Sequence, residues 1–374
     1  RHGLDGDFMD LMTQSTSYKL LKAKYNDFAA TTVKIKVDGT EILGQKDVRI
    51  TNLTVDLTCE YPASGCSFDL TGEYEPKQTD FKAGGSEKAL QLGAKVEIEL
   101  GYIKTEKVFS GLIVQVEYQF NTEDTPIIHV ECMDAKCLLM KTQRMRLLCD
   151  KKVQDIISDI LKDKPVNDYL SGKSVKVPND AQQQLDQKME SDYDFIVRHG
   201  QFYGCEFFIF NGKAYFRKSP AAAMPIMQLS PGEGLLSANF RMQGQELVEK
   251  VHVIGIDPKN DKWIASNSLN LAKQSVKATA KKMIKGTERQ YFDPSVTTTS
   301  LAEMRARAIM DGIKSSFGVL EAQCIGLPEI VPGRQIKIKG LCTAADRSYY
   351  VTNVHHSYGQ NGFETSLEAR VDSL

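Results

Sequence analysis

The sequence predicts an α+β protein that is mainly antiparallel β, with two small β-barrels joined by an α/β segment. Early in the chain, apolar and polar residues alternate in short runs such as residues 33–37, which is typical of strands with one buried face. A helical period replaces this pattern in the middle of the chain, and alternation returns in residues 363–371. With 374 residues, the chain is long enough for two or three domains.

The first barrel is expected at residues 31–145, after an N-terminal arm at residues 1–30 that is helical near Tyr18–Phe28. Short alternating runs separated by turn residues are typical of an antiparallel sheet curled into a barrel. The alternating apolar positions are Val33, Ile35, Val37, Val48, Ile50, Leu53, Val55, Leu57, Cys66, Phe68, Leu70, Val96, Ile98, Leu100, Leu112, Val114, Val116, Ile128, Val130 and Cys132.

The α/β segment is expected at residues 146–245. In KKVQDIISDILKD, the apolar residues between Val153 and Leu161 share one helical face. A second helix is predicted over Gln182–Tyr203, where apolar residues recur at steps of three and four. Two strand-like runs then flank Asn211-Gly212, a pair that favours a type I′ hairpin turn.

The second barrel is expected at residues 246–374, interrupted by an inserted loop and helix at about residues 257–320. That helix is predicted to begin with a capping box, in which Ser300 is the N-cap and Glu303 occupies the third helical position. Gly318 is expected to end it, because glycine is favoured just after a helix.

Six chemically reactive side chains fall within ESDYDFIVRHGQFYGCEFFIFNG: Glu190, Asp192, Asp194, His199, Cys205 and Glu206. A catalytic site needs such groups to share one pocket wall. On the predicted helix, however, Asp192 and Asp194 fall away from the apolar stripe, whereas His199 borders it. We therefore interpret the cluster as a solvated helix face followed by a hairpin, and we predict no catalytic residues.

No cofactor or metal site is predicted either. The H-E-x-x-H, G-x-S-x-G, Walker and G-x-G-x-x-G fingerprints do not occur. His355-His356 is disfavoured as a metal pair, because adjacent strand residues point to opposite faces. Gly84-Gly85 is weak evidence for a phosphate-binding loop.

The eight cysteines include no C-x-x-C pair, so the usual zinc and redox signatures are missing. Most lie in alternating apolar runs, where a free thiol packs as a small hydrophobe. Reduced cysteines in a protein made in the bacterial cytoplasm are the expectation, and a disulfide is the alternative.

Charge and hydropathy exclude two further classes of function. The 47 basic and 48 acidic residues leave a formal charge of −1, which draws the chain neither to nucleic acid nor to an anionic membrane. No run of eighteen apolar residues occurs, so no transmembrane segment is predicted.

A weak internal repeat links the two predicted barrels. In LGAKVEIELGYIKTEKVFSGLIVQVEYQF and PGRQIKIKGLCTAADRSYYVTNVHHSY, a glycine (Gly93 or Gly333) is followed by two alternating apolar residues, a loop and a strand ending at Val116 or Val354. Chance is the alternative, since any two antiparallel barrels share some pattern. If the repeat is real, three chains in a ring would present six barrels.

Three stretches of the sequence stand out. They are MESDYDFIVRHGQFYGCEFFIFNGKAYF; LGAKVEIELGY…KVFSGLIVQV, with its F-x-G step at Phe109 and Gly111; and GLPEIVPGRQIKIKGL…YYVTNVHHSYGQNGFETSLEAR. Together they resemble the phage baseplate hub, or late control protein D, family, which includes the hub part of the type VI secretion protein VgrG. The resemblance covers roughly residues 30–374, and the order of the three stretches carries it.

The resemblance implies a non-enzymatic homotrimer with two barrels per chain and pseudo-six-fold symmetry. It implies a structural baseplate hub, part of the tail baseplate or injection particle of a phage, tailocin or secretion system. The implied partners are a hexameric tail tube protein, a trimeric spike protein, other baseplate proteins and the tape-measure protein. In VgrG-type proteins the hub continues into a spike, so here the spike is expected to be a separate chain or a removed domain.

Two other classes of function remain open at this point. A cell-wall-degrading hydrolase of a tail would need two carboxylates held in a cleft, and the sequence gives no sign of such a pair. A carbohydrate- or peptide-binding β module would favour exposed aromatics, and the chain has a single tryptophan, Trp263. Solution mass separates a binding module from a hub.

Overall fold

The structure is a computed structural model, and it describes residues 10–43, 48–72, 74–75, 80–81, 86–120, 125–220, 224–267, 269–271 and 278–371. The mainly antiparallel β fold predicted from the sequence is confirmed. Most strands belong to one 13-stranded sheet, which includes a closed six-stranded barrel.

The N-terminal part forms the first half of that sheet. Helix α1 (Tyr18–Lys24) begins at Ser17, whose hydroxyl accepts a hydrogen bond from the Leu20 N–H. The elements that follow are β1 (Thr32–Val37), β2 (Thr40–Glu41), β3 (Val48–Thr58), β4 (Gly65–Gly72), β5 (Tyr74–Glu75), β6 (Asp80–Phe81), α2 (Ser86–Ala89), β7 (Lys95–Gly101), β8 (Thr105–Gln119) and β9 (Ile127–Met133).

We call β1, β3, β4, β7, β8 and β9 the first module. Its six strands lie in the order β1-β7-β8-β9-β4-β3. Alternate residues such as Leu53, Val55 and Leu57 are buried on one side, as the period of two predicts. The described residues carry no ladder between β1 and β3, so closure of the first barrel stays a prediction.

The middle of the chain mixes helices with two small sheets, β10-β12 and β11-β14-β13. Its elements are α3 (Lys136–Leu139), β10 (Gln143–Lys151), α4 (Val153–Ile160), a 3₁₀ helix (Val166–Tyr169), β11 (Gly172–Val175), β12 (Gln183–Ser191), α5 (Asp192–Tyr203), β13 (Glu206–Phe210) and β14 (Lys213–Arg217). The predicted helix at Val153 and the β13–β14 hairpin are confirmed, and the turn residues Asn211 and Gly212 both have positive φ.

The predicted helix over Gln182–Tyr203 is wrong in its first half. Residues 183–191 form β12, which pairs antiparallel with β10. Along β12, Leu185 and Gln187 turn inward at strand spacing. The helix begins only after Ser191, whose hydroxyl accepts a hydrogen bond from the Asp194 N–H. Cross-strand backbone pairing with β10 thus overrides the local helical spacing.

The C-terminal part contains the closed barrel and a separate sheet, in which β17 pairs with β18, β19 and β20. Its elements are β15 (Gln228–Pro231), β16 (Gly234–Met242), β17 (Lys250–Asp257), β18 (Lys262–Ala265), β19 (Leu269–Asn270), α6 (Ala278–Ile284), β20 (Glu288–Phe292), α7 (Thr299–Ser315), β21 (Gly318–Ile325), β22 (Gln335–Ile338), β23 (Ser348–Gly359) and β24 (Gly362–Val371).

We call β15, β16, β21, β22, β23 and β24 the second module. Its strands lie in the order β23-β22-β15-β16-β21-β24, and a β23–β24 ladder closes the barrel. The four sequence segments proposed as domains stay a prediction. In the structure, the strands of this barrel come from residues 228–242 and 318–371.

The ends of the last helix differ from the prediction. Helix α7 is capped by Thr298, whose hydroxyl accepts a hydrogen bond from the Leu301 N–H at 3.3 Å, and not by Ser300. Gly318 begins β21 and does not end the helix. Residues 297–300 are all threonine or serine, so the sequence pattern alone could not choose the N-cap among them.

We predict that an aspartate at Val96 or Ile336 lowers the free energy of unfolding by about 3–5 kcal/mol, because both side chains are fully buried and a carboxylate there would lack partners. The control is Ile103→Asp, at a side chain that is 64% exposed, which should change stability by less than about 0.5 kcal/mol. Urea denaturation measures all three. An unchanged midpoint for either core variant would contradict this assignment of the barrel faces.

Candidate assembly surface

The two modules have the same strand order. In the first, β1 neighbours β7, followed by β8, β9, β4 and β3. In the second, β15 neighbours β22, followed by β23, β24, β21 and β16. Taken in chain order, each strand of one module therefore has a counterpart in the other. The modules differ at two pairings. β1 is antiparallel to β7 whereas β15 is parallel to β22, and β15 pairs with β16 whereas the described residues carry no ladder between β1 and β3.

Irregularities in the ladders recur at matching positions. The β3–β4 ladder shifts register between Ile50 and Asn52, and the β16–β21 ladder shifts between Leu235 and Ser237. The β8–β9 ladder shifts between Ile113 and Gln115, and its counterpart β23–β24 shifts between Val351 and Asn353. Bulges change strand twist and are structural features in their own right, so their recurrence supports a true duplication.

The turn glycines that suggested a repeat also occupy equivalent places. Gly93 and Gly333 both have positive φ, +86° and +77°, a conformation that favours glycine. The Gly93 N–H donates to the Ile113 carbonyl, and the Gly333 N–H donates to the Val351 carbonyl, both at 2.9 Å. The repeat expected from the sequence is therefore present in the backbone.

A single ladder joins the two modules. Strand β3 of the first pairs antiparallel with β23 of the second, over residues 53–58 and 353–358. Leu57 lies opposite Val354, and both side chains are buried. This junction merges the two sheets and gives them one continuous apolar core.

On its solvent side, the junction carries an ion pair. Asp56 and His355 are directly opposite, with Oδ1 and Nδ1 2.7 Å apart. The hydrogen bond to Asp56 holds the pKa of His355 above its ordinary value. The two residues are 299 positions apart in sequence, so no local pattern could have indicated the contact.

The neighbouring His356 faces the opposite way, as strand geometry predicts. It is fully buried, its Nδ1 lies 2.9 Å from the Thr365 hydroxyl, and burial lowers its pKa to about 3. Within the described part of the chain, no three His, Cys, Asp or Glu side chains are grouped so as to hold a metal ion. The Gly84-Gly85 pair lies outside the described residues.

A buried carboxylate ties the α/β segment to the second module. Glu206 on β13 accepts hydrogen bonds from the Arg217 Nε at 2.9 Å and from the Tyr350 hydroxyl at 2.7 Å. Arg217 also donates to the Gly333 carbonyl at 2.8 Å. Burial raises the pKa of Glu206 against the opposing effect of Arg217. Through Arg217, Glu206 therefore positions the α/β segment beside Gly333, the repeat glycine of the second module.

The N-terminal arm ties both modules together. Lys24 of α1 donates to Glu106 on β8 at 2.6 Å and to Glu329, before β22, at 2.8 Å. The Tyr25 hydroxyl donates to the same Glu329 oxygen at 2.5 Å. Since Glu106 and Glu329 are almost fully buried, the arm supplies the cation and the donor that these carboxylates need.

Asp192 corrects the interpretation of the reactive cluster as a solvated face. Its side chain is buried and lies 3.0 Å from both Arg144 and Arg146, with Gln187 donating at 3.1 Å. By contrast, Asp194 is exposed as predicted. The difference arises because β10 brings two arginines beside the first turn of α5, a pairing that the helix prediction had missed.

His199 and Cys205 are buried and unsuited to proton transfer near neutral pH. Burial lowers the pKa of His199 to about 3 and raises the pKa of the Cys205 thiol to about 12. His199 packs edge-on against Phe195 at 4.5 Å between ring centroids. The prediction of no catalytic residues stays a prediction, because no structural observation tests activity.

A groove of about 740 Å³ crosses the outer face of the junction and the second module. Asp56 and His355 line it, together with Glu321 and Glu368, which lie opposite each other on β21 and β24. Like charges directly opposite in a sheet are unfavourable. Arg241, 3.7 Å from Glu321, offsets part of that repulsion.

All eight cysteines are free thiols, and six of them are buried. No helix of the described residues combines the length and the apolar character needed to span a bilayer.

A family model and several solved structures match this chain. The model of the Alg8 N-terminal domain family matches residues 27–360. The chain resembles the 43 kDa tail protein of prophage MuSo2 from Shewanella oneidensis, with TM-score 0.68 and 13% identity over 91% of this chain and 98% of that one. It also resembles a tail protein from Neisseria meningitidis, with TM-score 0.68 and 11% identity over 92% and 97% of the two chains.

A third solved structure is an E. coli component of the type VI secretion system, described as structurally similar to the T4 bacteriophage tail proteins gp27 and gp5. It aligns with TM-score 0.56 and 14% identity over 90% of this chain and 76% of that one. No match was found among curated proteins. At these identities the likeness establishes the fold.

We predict that His355 titrates above its ordinary pKa of about 6.5. Because the folded pKa is raised, the pair's contribution to stability is complete below about pH 6.5 and is lost as the pH rises through the folded value. Histidine NMR titration measures the pKa. In Asp56→Asn the pKa of His355 should fall, whereas His129, whose pKa is raised by Asp69 on the first module, should not move. A wild-type value at or below the ordinary one would contradict the pair.

Proposed function

We propose, from its tail-protein fold, that the chain, which belongs to the Alg8 N-terminal domain family by its match over residues 27–360, is a structural baseplate hub of a contractile injection machine. The proposed role is that of a trimeric adaptor between a hexameric tail tube and a trimeric spike. The duplication of the two modules is the observation that carries this proposal.

A duplicated chain suits an adaptor between three-fold and six-fold objects. Three copies of a chain with two equivalent modules present six similar surfaces, while the differences between the modules keep three-fold symmetry. The tail tube would contact the six similar surfaces. The spike would contact the three-fold features, such as the α/β segments, which occur once in each chain.

The proposed partners are those of a baseplate. They include other copies of this chain, the tube protein, the spike as a separate chain or an adjoining domain, other baseplate proteins and the tape-measure protein. The chain would be made in the bacterial cytoplasm and would act within the assembled tail or injection particle. The machine would be a phage tail, a tailocin or a secretion system.

We further propose that the chain is not an enzyme. The buried carboxylates Asp192 and Glu206 are already held by arginines. Glu321 and Glu368 in the outer groove are the paired carboxylates that a cell-wall hydrolase could use.

We expect no release of soluble fragments from peptidoglycan by the wild type above the level of a Glu321→Gln, Glu368→Gln double variant. The double variant keeps the shape of the groove but lacks both negative charges. It therefore measures the background release of peptidoglycan fragments. Release by the wild type that the double variant lacks would contradict a purely structural role and favour the hydrolase alternative.

The solution mass tests the hub directly. We expect light scattering to give three times the chain mass of 41.7 kDa, with ring-shaped particles of six similar lobes in electron micrographs. On dilution, the measured mass should fall toward that of the monomer while the chain stays folded. A monomer at every concentration, with or without added spike protein, would contradict the proposal.

A further inference from the structure

The duplication also indicates how one copy of the chain contacts the next. Inside the chain, β3 of the first module pairs with β23 of the second. By strand order and by the recurring bulges, β16 is the counterpart of β3, and β8 is the counterpart of β23. A repeat of the internal junction between copies would therefore pair β16 of one copy with β8 of another.

Both of these edges are open in the described part of the chain. β15 covers β16 only at Gly234 and Leu235, so the same edge of residues 237–243 has no strand beside it. On β8, ladder pairing with β7 stops at Leu112, and beyond the Ile113 hydrogen bonds no described strand lies on that side. Open strand edges readily accept another strand.

Side-chain exposure distinguishes the internal junction from its counterpart on β16. Leu53, Val55 and Leu57 on β3 are at most 3% exposed. Their counterparts on β16 are Ala238, Phe240 and Met242, in the same inward positions. Ala238 and Phe240 are only half-buried, and Met242 is 53% exposed.

The same contrast holds for β8. On β23, Val354 and His356 are at most 2% exposed. The counterparts on β8 are Val116, which is half-buried, and Tyr118, which is 39% exposed. Phe120, which continues this row, is 57% exposed. Two apolar rows that are buried at the internal junction are thus partly exposed at the equivalent edges.

Charges at the equivalent positions are complementary. The internal pair Asp56 and His355 corresponds to Arg241 on β16 and Glu117 on β8. Arg241 takes the place of the acid, and Glu117 takes the place of the histidine. The two side chains would still attract each other, with the positive charge on β16 and the negative charge on β8. The Arg241 side chain is 57% exposed and lies 3.7 Å from Glu321.

We infer that β16 of one copy pairs antiparallel with β8 of a second copy of this chain, with Met242 opposite Val116, Arg241 opposite Glu117 and Asn239 opposite Gln119. This inference rests on the proposed hub, whose subunit interface it specifies. Each copy offers one β16 edge and one β8 edge, so the contact is head-to-tail and closes into a ring. The strands β3, β4, β8, β9, β16, β21, β23 and β24 of every copy then form one continuous sheet.

Disulfide trapping tests the register. In a background where the exposed Cys149 and Cys342 are serine, the pair Arg241→Cys and Glu117→Cys should cross-link on oxidation into covalent dimers and closed trimers. Directly opposed residues lie within the Cα distance of about 4.4–6.8 Å that a disulfide requires. The matched control is Arg241→Cys with Gln119→Cys, a diagonal pair roughly 7–8 Å apart that should link at least tenfold more slowly.

Charge exchange provides a second readout in the full chain. Arg241→Glu and Glu117→Arg should each raise the dissociation constant of the oligomer about tenfold, and the double variant should recover most of that loss. Circular dichroism confirms that each variant is folded. Single variants that assemble as the wild type does would overturn the Arg241–Glu117 contact.

The failures of the two proposals are distinguishable. A trimeric mass with no 241–117 cross-link, or with equal linking of the control pair, would overturn the register while leaving the hub in place. A monomeric mass for the folded wild-type chain would overturn the hub and this interface together. A trimer that cross-links at 241–117 alone, with rescue by the double charge exchange, supports the inference.

Discussion

The pairing of β3 with β23 is the contact on which the rest of the architecture depends. It joins two modules that would otherwise expose two strand edges and two apolar rows within the same chain. Main-chain hydrogen bonds hold the two strands in one register. A slip by one residue would be unfavourable, because it would turn Leu57 and Val354 outward and bring Asp56 and His355 into the core. The ladder therefore fixes both the distance between the modules and their relative direction.

Charges held in the interior tie other parts of the chain together. Lys24 of the arm holds Glu106 and Glu329, Arg217 and Tyr350 hold Glu206, and two arginines hold Asp192. Such groups contribute little net free energy, since desolvation offsets much of the attraction. Each of them, however, accepts only one arrangement of its neighbours. They therefore position the arm, the α/β segment and the modules relative to one another.

Features set by local chemistry could be predicted from the sequence, whereas features set by distant pairing could not. Alternating apolar residues gave the strands, Asn211-Gly212 gave the hairpin, and Gly93 with Gly333 gave the repeat. The spacing of Leu185 and Met189 by four predicts a helix over residues 183–191. In the structure these residues form a strand, because they pair with β10. The contact between Asp56 and His355 could not be predicted from the sequence for the same reason. Its partners lie far apart in the chain, and a single sequence carries no signal that links them.

The internal junction and the proposed contact between copies carry facing charges of opposite sign, in reversed order, and this distinguishes correct from incorrect pairings. If β3 of one copy met β8 of another, Asp56 would face Glu117, and if β16 met β23, Arg241 would face His355, which would have lost its partner Asp56. The first incorrect pairing places like charges directly opposite each other, which is unfavourable, and the second leaves both Arg241 and His355 without an acidic residue opposite. The correct internal and external pairings each unite opposite charges. A duplicated chain would otherwise confuse its own junction with that of its neighbour, and this exchange of signs lets one backbone geometry serve both contacts without mixing them.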